Sequence, residues 1–331
     1  MSLVRQMNPS PLSHAFDASL LSRLAFYNRF FSSNHMHIRN QSKEKDMQSL
    51  TLSNGRPIPQ LGYGVYTMTS EEVERCLPEA IAAGYTHIDT ANAYFNEVAV
   101  GRAIRESGAR REDLFVTTKL FPQSYPYEQC GPDIDASLER LGLGYVDLML
   151  FHQPYGDYVS GWRAMEEAVR AGKARAIGLS NFPLHKVDQI LEVATIKPSV
   201  FQVEINPYWN QHEYKAALAS RGLEGAVFEG WYPLGHGDKG LLAEPLFQEL
   251  AEKHRKTPAQ VVLRWHLQEG NVVFPTTRSA EHLRENLDVF DFELTADEMA
   301  RVNALPQRPY YVVPEDAPDF VLTHNDYSKQ A

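Results

Sequence analysis

The sequence is poor in cysteine and contains no long apolar run. Its two cysteines, Cys76 and Cys130, have neither metal-ligand spacing nor the density of a disulfide framework, which indicates a reducing compartment. No apolar stretch approaches the roughly 18 residues that a membrane helix needs, so no membrane association is expected. Acidic side chains outnumber basic ones by 42 to 32, and the net charge of −10 argues against nucleic acid as a partner. With 43% hydrophobic residues among 331, the composition predicts a soluble globular protein.

The first 46 residues differ from the rest of the chain in charge. They carry six basic and three acidic side chains, a balance of +3, whereas the remainder carries 26 basic and 39 acidic side chains, a balance of −13. A short apolar stripe among arginines is typical of an amphipathic transit peptide for a mitochondrion or another organelle (Leu20, Leu24, Tyr27 and Phe31). The alternative, which we favour, is a disordered extension or a start codon assigned upstream of Met36 or Met47. In that case we expect a cytoplasmic protein.

From residue 47 to residue 331, short apolar runs alternate with amphipathic stretches. The runs recur about every thirty residues, as in successive strand–helix units. Eight such units in one compact chain favour a single-domain α/β fold, the closed parallel (β/α)8 barrel. The predicted strands span residues 61–66, 85–91, 114–120, 146–152, 174–180, 200–206, 226–232 and 272–276. The predicted helices include residues 71–83, 133–141, 161–172, 184–194, 211–221, 244–255 and 258–268.

Two familiar signatures are incomplete in this sequence. The segment GYGVYT supplies Gly62 and Gly64 but neither a third glycine nor a helix directly after it. This argues against the alternative fold, a doubly wound dinucleotide-binding sheet. His35 and His37 are separated by one residue but have no further ligand nearby, so no metal site is predicted.

Polar side chains stand at the ends of three consecutive apolar strands, and in a barrel these ends face a common site. The residues are Asp89, Lys119 and His152. Pairing of Asp89 with Lys119 offsets the cost of burying either charge. Tyr94, just beyond the strand, can lean over that pair, and we expect the nearby cation to lower its pKa from about 10. A tuned phenol beside a neutral imidazole suits protonation of a carbonyl oxygen.

Each of these side chains also has a purely structural interpretation. Asp89 can cap the following turn, and His152 alone is more often a structural histidine than a catalyst. Lys119 can be a solvated lysine at the barrel rim or, in another enzyme class, a Schiff-base nucleophile. The four residues together, at matching strand ends, favour an active site.

From about Leu50 to Leu305 the sequence also resembles the aldo-keto reductases, in particular bacterial diketogluconate and methylglyoxal reductases. The segments IDTANAYFNE, VTTKLF and DLMLFHQP resemble the aspartate–tyrosine, lysine and histidine motifs of that family. The resemblance implies that Tyr94 is the proton donor and that Lys119 lowers its pKa. It further implies that Asp89 orients Lys119, that His152 positions the carbonyl, and that NADPH binds without a doubly wound domain.

Carried over from this resemblance, one group of residues holds the cofactor. Ser180, Asn181 and Gln202 would hold the nicotinamide carboxamide, and Trp231 would stack on the ring. The loop at Leu234 and Gly235 would approach the pyrophosphate. At the phosphate end Thr276 replaces a lysine that is common in the family, so NADPH is expected with NADH as a weaker alternative. The residues expected there are Thr277, Arg278, Ser279, His282 and Asn286.

The substrate pocket is expected among Tyr66, Phe121, His152 and Gln153. Because Gln153 is an amide where related enzymes carry aromatic side chains, the sequence favours small polar carbonyls such as methylglyoxal-like dicarbonyls, keto-sugar acids and aromatic aldehydes. We expect a monomer without a nucleic-acid or membrane partner. Two other functions remain open at this point, a Schiff-base lyase or aldolase that uses Lys119, and a non-catalytic nicotinamide-binding regulatory subunit.

Overall fold

The computed structural model describes residues 47–235 and 239–318, together with residues 321, 325 and 327. The predictions for residues 1–46, a transit peptide, a disordered extension or a later start, therefore lie outside the described residues, as do His35 and His37. Within the described part, no helix is long and apolar enough to cross a membrane. The same residues contain no group of three or more His, Cys, Asp or Glu side chains that could hold a metal ion.

Eight parallel strands form one sheet in strictly sequential order, which confirms the predicted (β/α)8 barrel. Neighbouring strands pair in the parallel sense throughout, as in Gly64 opposite Asp89 and Ser180 opposite Gln202. A parallel bridge between Leu61 and Val273 joins the first barrel strand to the last and closes the ring. The strands are β3 Gly62–Gly64, β4 His87–Asp89, β5 Phe115–Leu120, β6 Leu148–Phe151, β7 Ile177–Ser180, β8 Val200–Glu204, β9 Val227–Trp231 and β10 Asn271–Val273.

A short hairpin ahead of the barrel was not predicted from the sequence. Its antiparallel strands β1 Ser49–Thr51 and β2 Pro57–Pro59 flank a turn in which Gly55 has φ +81°. A positive φ costs glycine little, and the Asn-Gly pair in this segment is a common turn signal. Leu52 and Ile58 pack into one buried cluster with inward side chains of the barrel strands, including Leu148. The hairpin therefore contributes to the apolar filling of the barrel.

Helices follow the barrel strands, and most predicted ones are confirmed to within a few residues. Thr69 and Glu72 form a capping box at the start of the first helix, and Gly84 ends that helix in the left-handed conformation. Four further helices, α2, α7, α10 and α11, lie outside the predicted segments. The helices are α1 Ser70–Ala83, α2 Glu97–Glu106, α3 Tyr127–Leu141, α4 Tyr158–Arg170, α5 Leu184–Val193, α6 His212–Ala219, α7 Lys239–Leu242, α8 Pro245–His254, α9 Pro258–Gln268, α10 Ala280–Leu287 and α11 Ala296–Asn303.

Helix α2 approaches the end of α3 at a glycine. A Cβ atom added to Gly101 would lie 1.9 Å from the carbonyl oxygen of Leu141, which belongs to the backbone and cannot rotate away. Gly131, inside α3, is different because an added Cβ there would meet nothing within 4 Å. A substitution at Gly101 therefore tests the packing of the two helices, whereas the same substitution at Gly131 tests helix propensity alone.

We expect Gly101→Ala to lower the free energy of unfolding by about 1–3 kcal/mol, because the two helices must move apart to admit the methyl group. The matched variant Gly131→Ala should raise it by roughly 0.5–1 kcal/mol, because alanine restricts the unfolded chain and favours the helix. Urea unfolding of the three proteins measures both changes. Equal effects of the two substitutions would contradict the packing argument.

Candidate active site

A cavity of about 1300 Å³ opens at the C-terminal ends of the barrel strands. Of the predicted site residues, Lys119, Gly235 and Ser279 do not line it. The others do: Tyr66, Asp89, Tyr94, Phe121, His152, Gln153, Ser180, Asn181, Gln202, Trp231, Leu234, Thr277, Arg278, His282 and Asn286. One cavity therefore collects residues from most of the chain.

Lys119 lies beneath the floor of this cavity and is fully buried. Its ammonium group donates three hydrogen bonds, to Asp89 Oδ1 at 2.6 Å, to the Thr90 carbonyl oxygen at 2.9 Å and to the Tyr94 hydroxyl oxygen at 3.1 Å. The pairing of β4 with β5 sets the first of these contacts, because Asp89 lies opposite Thr117 and Lys119 follows two residues later on the same face of β5. Because Tyr94 accepts the bond from Lys119, its own hydroxyl hydrogen is left for another acceptor.

The electrostatics of this group differ from the sequence-based expectation in one respect. Burial acts against the charge on Lys119, but Asp89 and Tyr94 raise the pKa of Lys119, which stays protonated at neutral pH. For Tyr94 the prediction of a net lowering was wrong. Burial raises the pKa of Tyr94 to about 12, and Lys119 lowers it only in part. The phenol is therefore a firmly protonated donor whose deprotonated form the ammonium group stabilises.

His152 follows β6 and faces the phenol from the side. Its ring centroid lies 5.6 Å from that of Tyr94 and 5.6 Å from that of Phe121. Burial, with Lys119 nearby, lowers the pKa of His152 well below its ordinary value, so the imidazole is neutral. Its Nδ1 atom is buried without a hydrogen-bond partner among the described residues. A neutral imidazole beside a protonated phenol can hold an oxygen atom between two donors.

Asn181 organises the next side of the cavity. Its backbone has φ +65°, a left-handed conformation that is uncommon outside glycine and that often marks a functional position. The Asn181 amide donates to the His152 carbonyl oxygen at 3.2 Å and accepts the Trp231 indole N–H at 2.8 Å. Asn181 also donates to Ser180 Oγ at 3.2 Å. These contacts fix the indole of Trp231 at the cavity wall.

Sequence reasoning missed a fully buried member of the network beneath the cavity, Glu229. Gln202 Nε2 donates to Asp89 Oδ2 at 3.0 Å and to Glu229 Oε2 at 2.8 Å, so both amide hydrogens are used and the Gln202 carbonyl oxygen remains as an acceptor. Glu229 is fully buried, and its Oε1 lies 3.7 Å from Nε2 of His87. The available signal was a carboxylate two residues before Trp231, on the same face of an apolar strand.

At the phosphate end of the predicted cofactor site, two of the predicted residues already bond to other groups of the protein. Arg278 is already paired, because its Nε and Nη2 atoms donate to both carboxylate oxygens of Glu72 at 2.7 and 3.0 Å. Ser279 caps helix α10, since its hydroxyl oxygen accepts the backbone N–H of His282 at 3.3 Å. Ser279 is thus committed to the helix, while Thr277, His282 and Asn286 line the cavity as expected.

The C-terminal segment packs against the mouth of the cavity. Glu204, at the end of β8, accepts the backbone N–H groups of Tyr310 at 2.7 Å and Tyr311 at 2.9 Å. Further along, Gln123 and Asn325 exchange two hydrogen bonds. Tyr310, Tyr311 and Asn325 all line the cavity, so the described part of this segment forms one of its walls.

The geometry of the barrel and its cavity agrees with a comparison of the chain with known families. Residues 60–306 match the profile of the aldo/keto reductase family. The chain belongs to this family. It is an NAD(P)H-dependent oxidoreductase that reduces carbonyl groups of small molecules.

Several named proteins are similar to this chain. A glyoxal reductase of Bacillus subtilis is 42% identical over 259 residues, which cover 78% of this chain and 92% of the relative. A morphine 6-dehydrogenase of Pseudomonas putida is 41% identical over 270 residues, with coverage of 77% and 90%. The crystal structure of a Bombyx mori aldo-keto reductase in complex with NADP superposes with a TM-score of 0.73 at 32% identity, covering 78% of this chain and 92% of the other.

The cavity fits a nicotinamide cofactor in size and in chemistry. Its volume exceeds that of an ordinary small-ligand site, and it extends from the buried group at Tyr94 to the exposed surface at Arg278. The inner part offers an aromatic wall at Trp231 and an acceptor oxygen at Gln202, which suit a flat ring that bears an amide. The outer part offers hydroxyl, amide and guanidinium donors.

The protonation of Glu229 gives a test of the buried network. Burial raises the pKa of Glu229 to about 8, and the Asp89 charge adds to this effect. Between the ordinary value near 4.5 and about 8, the folded protein keeps a proton that the unfolded chain has released. The contribution of Glu229 to the free energy of unfolding therefore falls as pH rises through this window.

We expect Glu229→Gln to remove this dependence, because glutamine keeps the acceptor for Gln202 and does not titrate. The stability of the variant relative to the wild type should rise by about 2–4 kcal/mol between about pH 5 and about pH 8. Urea unfolding across this range gives the difference. His87 is present in both proteins and cancels in the comparison. A difference that does not change with pH would contradict a protonated Glu229.

Proposed function

We propose that the protein is an NADPH-dependent reductase of small polar aldehydes and ketones in which Tyr94 is the proton donor. The observation that carries this proposal is the position of Lys119 Nζ, 2.6 Å from Asp89 Oδ1 and 3.1 Å from the Tyr94 hydroxyl oxygen. A buried cation in contact with a phenol oxygen stabilises the charge that forms when the phenol gives up its proton. The cavity admits a substrate to this point.

Each residue of the buried group has its own task in the proposed proton transfer. Tyr94 and His152 would hold the substrate oxygen, and the hydroxyl hydrogen of Tyr94 would move to that oxygen as negative charge develops on it. Lys119 lowers the free energy of the phenolate that remains, and Asp89 holds Lys119 in position. The bound nicotinamide supplies the hydride.

For the cofactor we propose NADPH, with NADH as a weaker alternative. Ser180, Asn181 and Gln202 would hold the carboxamide, and Trp231 would cover one face of the ring. The carbonyl oxygen of Gln202 suits the carboxamide N–H, because both hydrogens of the Gln202 amide are committed to the carboxyl groups of Asp89 and Glu229. The remaining contacts would come from Leu234, Gly235, Thr277, Arg278, His282 and Asn286.

For the substrate we propose small polar carbonyl compounds of the methylglyoxal type, keto-sugar acids and aromatic aldehydes. Tyr66 and Phe121 give the cavity apolar walls beside the phenol, and the Tyr66 ring centroid lies 5.0 Å from that of Tyr94. The Gln153 side-chain oxygen is buried without a partner among the described residues, so it is available to a substrate hydroxyl group. The similarity to a glyoxal reductase supports the same class.

A Schiff-base reaction at Lys119 is not favoured. A lysine nucleophile must lose a proton and reach the substrate, whereas Lys119 is fully buried and donates all three of its hydrogens to acceptors. A purely regulatory binding role is not favoured. A protein that only binds the cofactor does not need Lys119 in contact with the Tyr94 hydroxyl group, and the relatives described above include a reductase.

We expect Tyr94→Phe to lower kcat for methylglyoxal reduction by about 10²–10⁴-fold, because the proton donor is removed. Cofactor affinity should change little. NADPH oxidation followed by absorbance gives kcat, and fluorescence titration gives the dissociation constant. Tyr127→Phe, which removes a hydroxyl group on the outside of helix α3, is the control and should keep normal turnover. Normal turnover in Tyr94→Phe would refute the assignment.

Lys119→Met should reduce turnover strongly and also lower stability, because Asp89 is left buried without its counter-ion. The loss of stability should be roughly 3–5 kcal/mol. The double variant Asp89→Asn with Lys119→Met removes both charges, so it should regain part of the stability without regaining activity. Reductive trapping of the wild type with borohydride and substrate should give no adduct at Lys119. An adduct at Lys119 would instead support the Schiff-base alternative.

A further inference from the structure

Arg278 is the single lysine or arginine among the described residues that line the cavity. NADPH differs from NADH by one phosphate on the adenosine ribose, so discrimination needs a cation at that end of the site. The neighbouring cavity residues Thr276 and Thr277 offer hydroxyl groups but no charge. Among the described residues of the cavity, the permanent positive charge that could favour NADPH is therefore that of Arg278.

The guanidinium of Arg278 is largely occupied within the protein. Nε and one side of Nη2 meet the two oxygens of Glu72 at 2.7 and 3.0 Å, and Nη2 also donates to the Thr67 carbonyl oxygen at 2.7 Å. These contacts use one of the edges with which arginine grips a phosphate through two parallel hydrogen bonds. The two hydrogens on Nη1 remain for a phosphate. They point in different directions, so they cannot form two parallel hydrogen bonds to one phosphate group.

Glu72 is held in this position by the start of helix α1. Its Oε2 atom accepts the Thr69 backbone N–H at 3.0 Å, and the Thr69 hydroxyl oxygen accepts the Glu72 N–H at 3.3 Å. A carboxylate at this position also interacts favourably with the helix dipole. Contact with Arg278, together with the Thr69 N–H, keeps the pKa of Glu72 below its usual range, so the carboxylate is charged.

We propose that Glu72 sets the cofactor preference, because its carboxylate competes with the 2′-phosphate for Arg278. The inference rests on the proposed cofactor site. A phosphate that reaches Arg278 must either displace Glu72 or bind beside a second negative charge. NADH, which has no phosphate at this position, meets neither cost. Glu72 therefore narrows the difference in affinity between the two cofactors.

The ion pair is exposed enough for such an exchange to occur. The side chains of Arg278 and Glu72 are 41% and 30% exposed, so the pair contributes little stability of its own and water can reach it. The phosphate carries more charge than the carboxylate and can compete for the same donors. Removing the charge of Glu72 should therefore help NADPH in two ways, by freeing the edge of Arg278 and by removing a repulsion.

The decisive variant is Glu72→Gln. Glutamine at this position keeps the capping box and loses the charge. We expect the ratio of the NADH and NADPH dissociation constants to rise about three- to tenfold, most strongly at low salt, with NADH binding unchanged. Isothermal titration of each protein with both cofactors gives the ratio. The fragments 2′,5′-ADP and 5′-AMP, which differ by the same phosphate, should show the same change without involving the nicotinamide end.

Glu71→Gln is the matched control, because it removes the same charge from the same helical turn and Glu71 is not a partner of Arg278. In Glu71→Gln the ratio of the NADH and NADPH dissociation constants should change by less than about twofold. In the Arg278→Ala background, Glu72→Gln should lose most of its effect, since there is no longer a cation to release. Equal changes for both cofactors, or the same gain with and without Arg278, would overturn the proposal.

Failure of the cofactor assignment itself would look different. If the wild type bound neither NADPH nor NADH, the proposed function and this inference would both fall. If the wild type bound both cofactors and reduced methylglyoxal, but Glu72→Gln left the ratio unchanged, only the role of Glu72 would be wrong.

Discussion

The ion pair between Lys119 and Asp89 is the interaction on which the rest of the site depends. Both side chains lie inside the barrel, where an unpaired charge would be costly by several kcal/mol. The pair forms because β4 ends at Asp89, opposite Thr117 of the adjacent strand, and Lys119 stands two residues further along β5 on the same face. The innermost contacts of the site are arranged around it, with Tyr94 bonded to Lys119 and Gln202 bonded to Asp89. The order of the strands in the barrel thus determines where the proposed catalytic groups lie.

The charges in the buried network around Lys119 and Asp89 nearly cancel. One ammonium group offsets one carboxylate, and the second buried carboxyl group, Glu229, stays protonated. His152 is kept neutral by the same burial. The interior of the site is therefore close to electrically neutral before any ligand binds. A site of this kind responds strongly to charge that develops during a reaction, because little solvent is present to screen it.

Much of this arrangement could be predicted from the sequence, because it depends on strand ends. Apolar runs that finish in Asp89, Lys119 and His152 locate both the strands and the polar side chains that follow them. The hairpin before the barrel escaped prediction because its strands have three residues each and contain two prolines. The pairing of Glu72 with Arg278 joins residues 206 positions apart, and no local pattern indicates it. The net pKa of Tyr94 depends on burial, which strand spacing does not reveal.

The orientation of the Gln202 amide has a consequence for the kind of group that it can recognise. Its two hydrogens point to Asp89 and Glu229, so the amide cannot turn over without placing its oxygen between two carboxyl groups. The side chain therefore presents only an acceptor to the cavity. A ring that carries a carboxamide can donate to it, whereas the same ring with a carboxylate would meet oxygen with oxygen. With Gln202 at the nicotinamide carboxamide, as proposed above, the barrel interior would favour an amidated ring over its acid counterpart at a single atom.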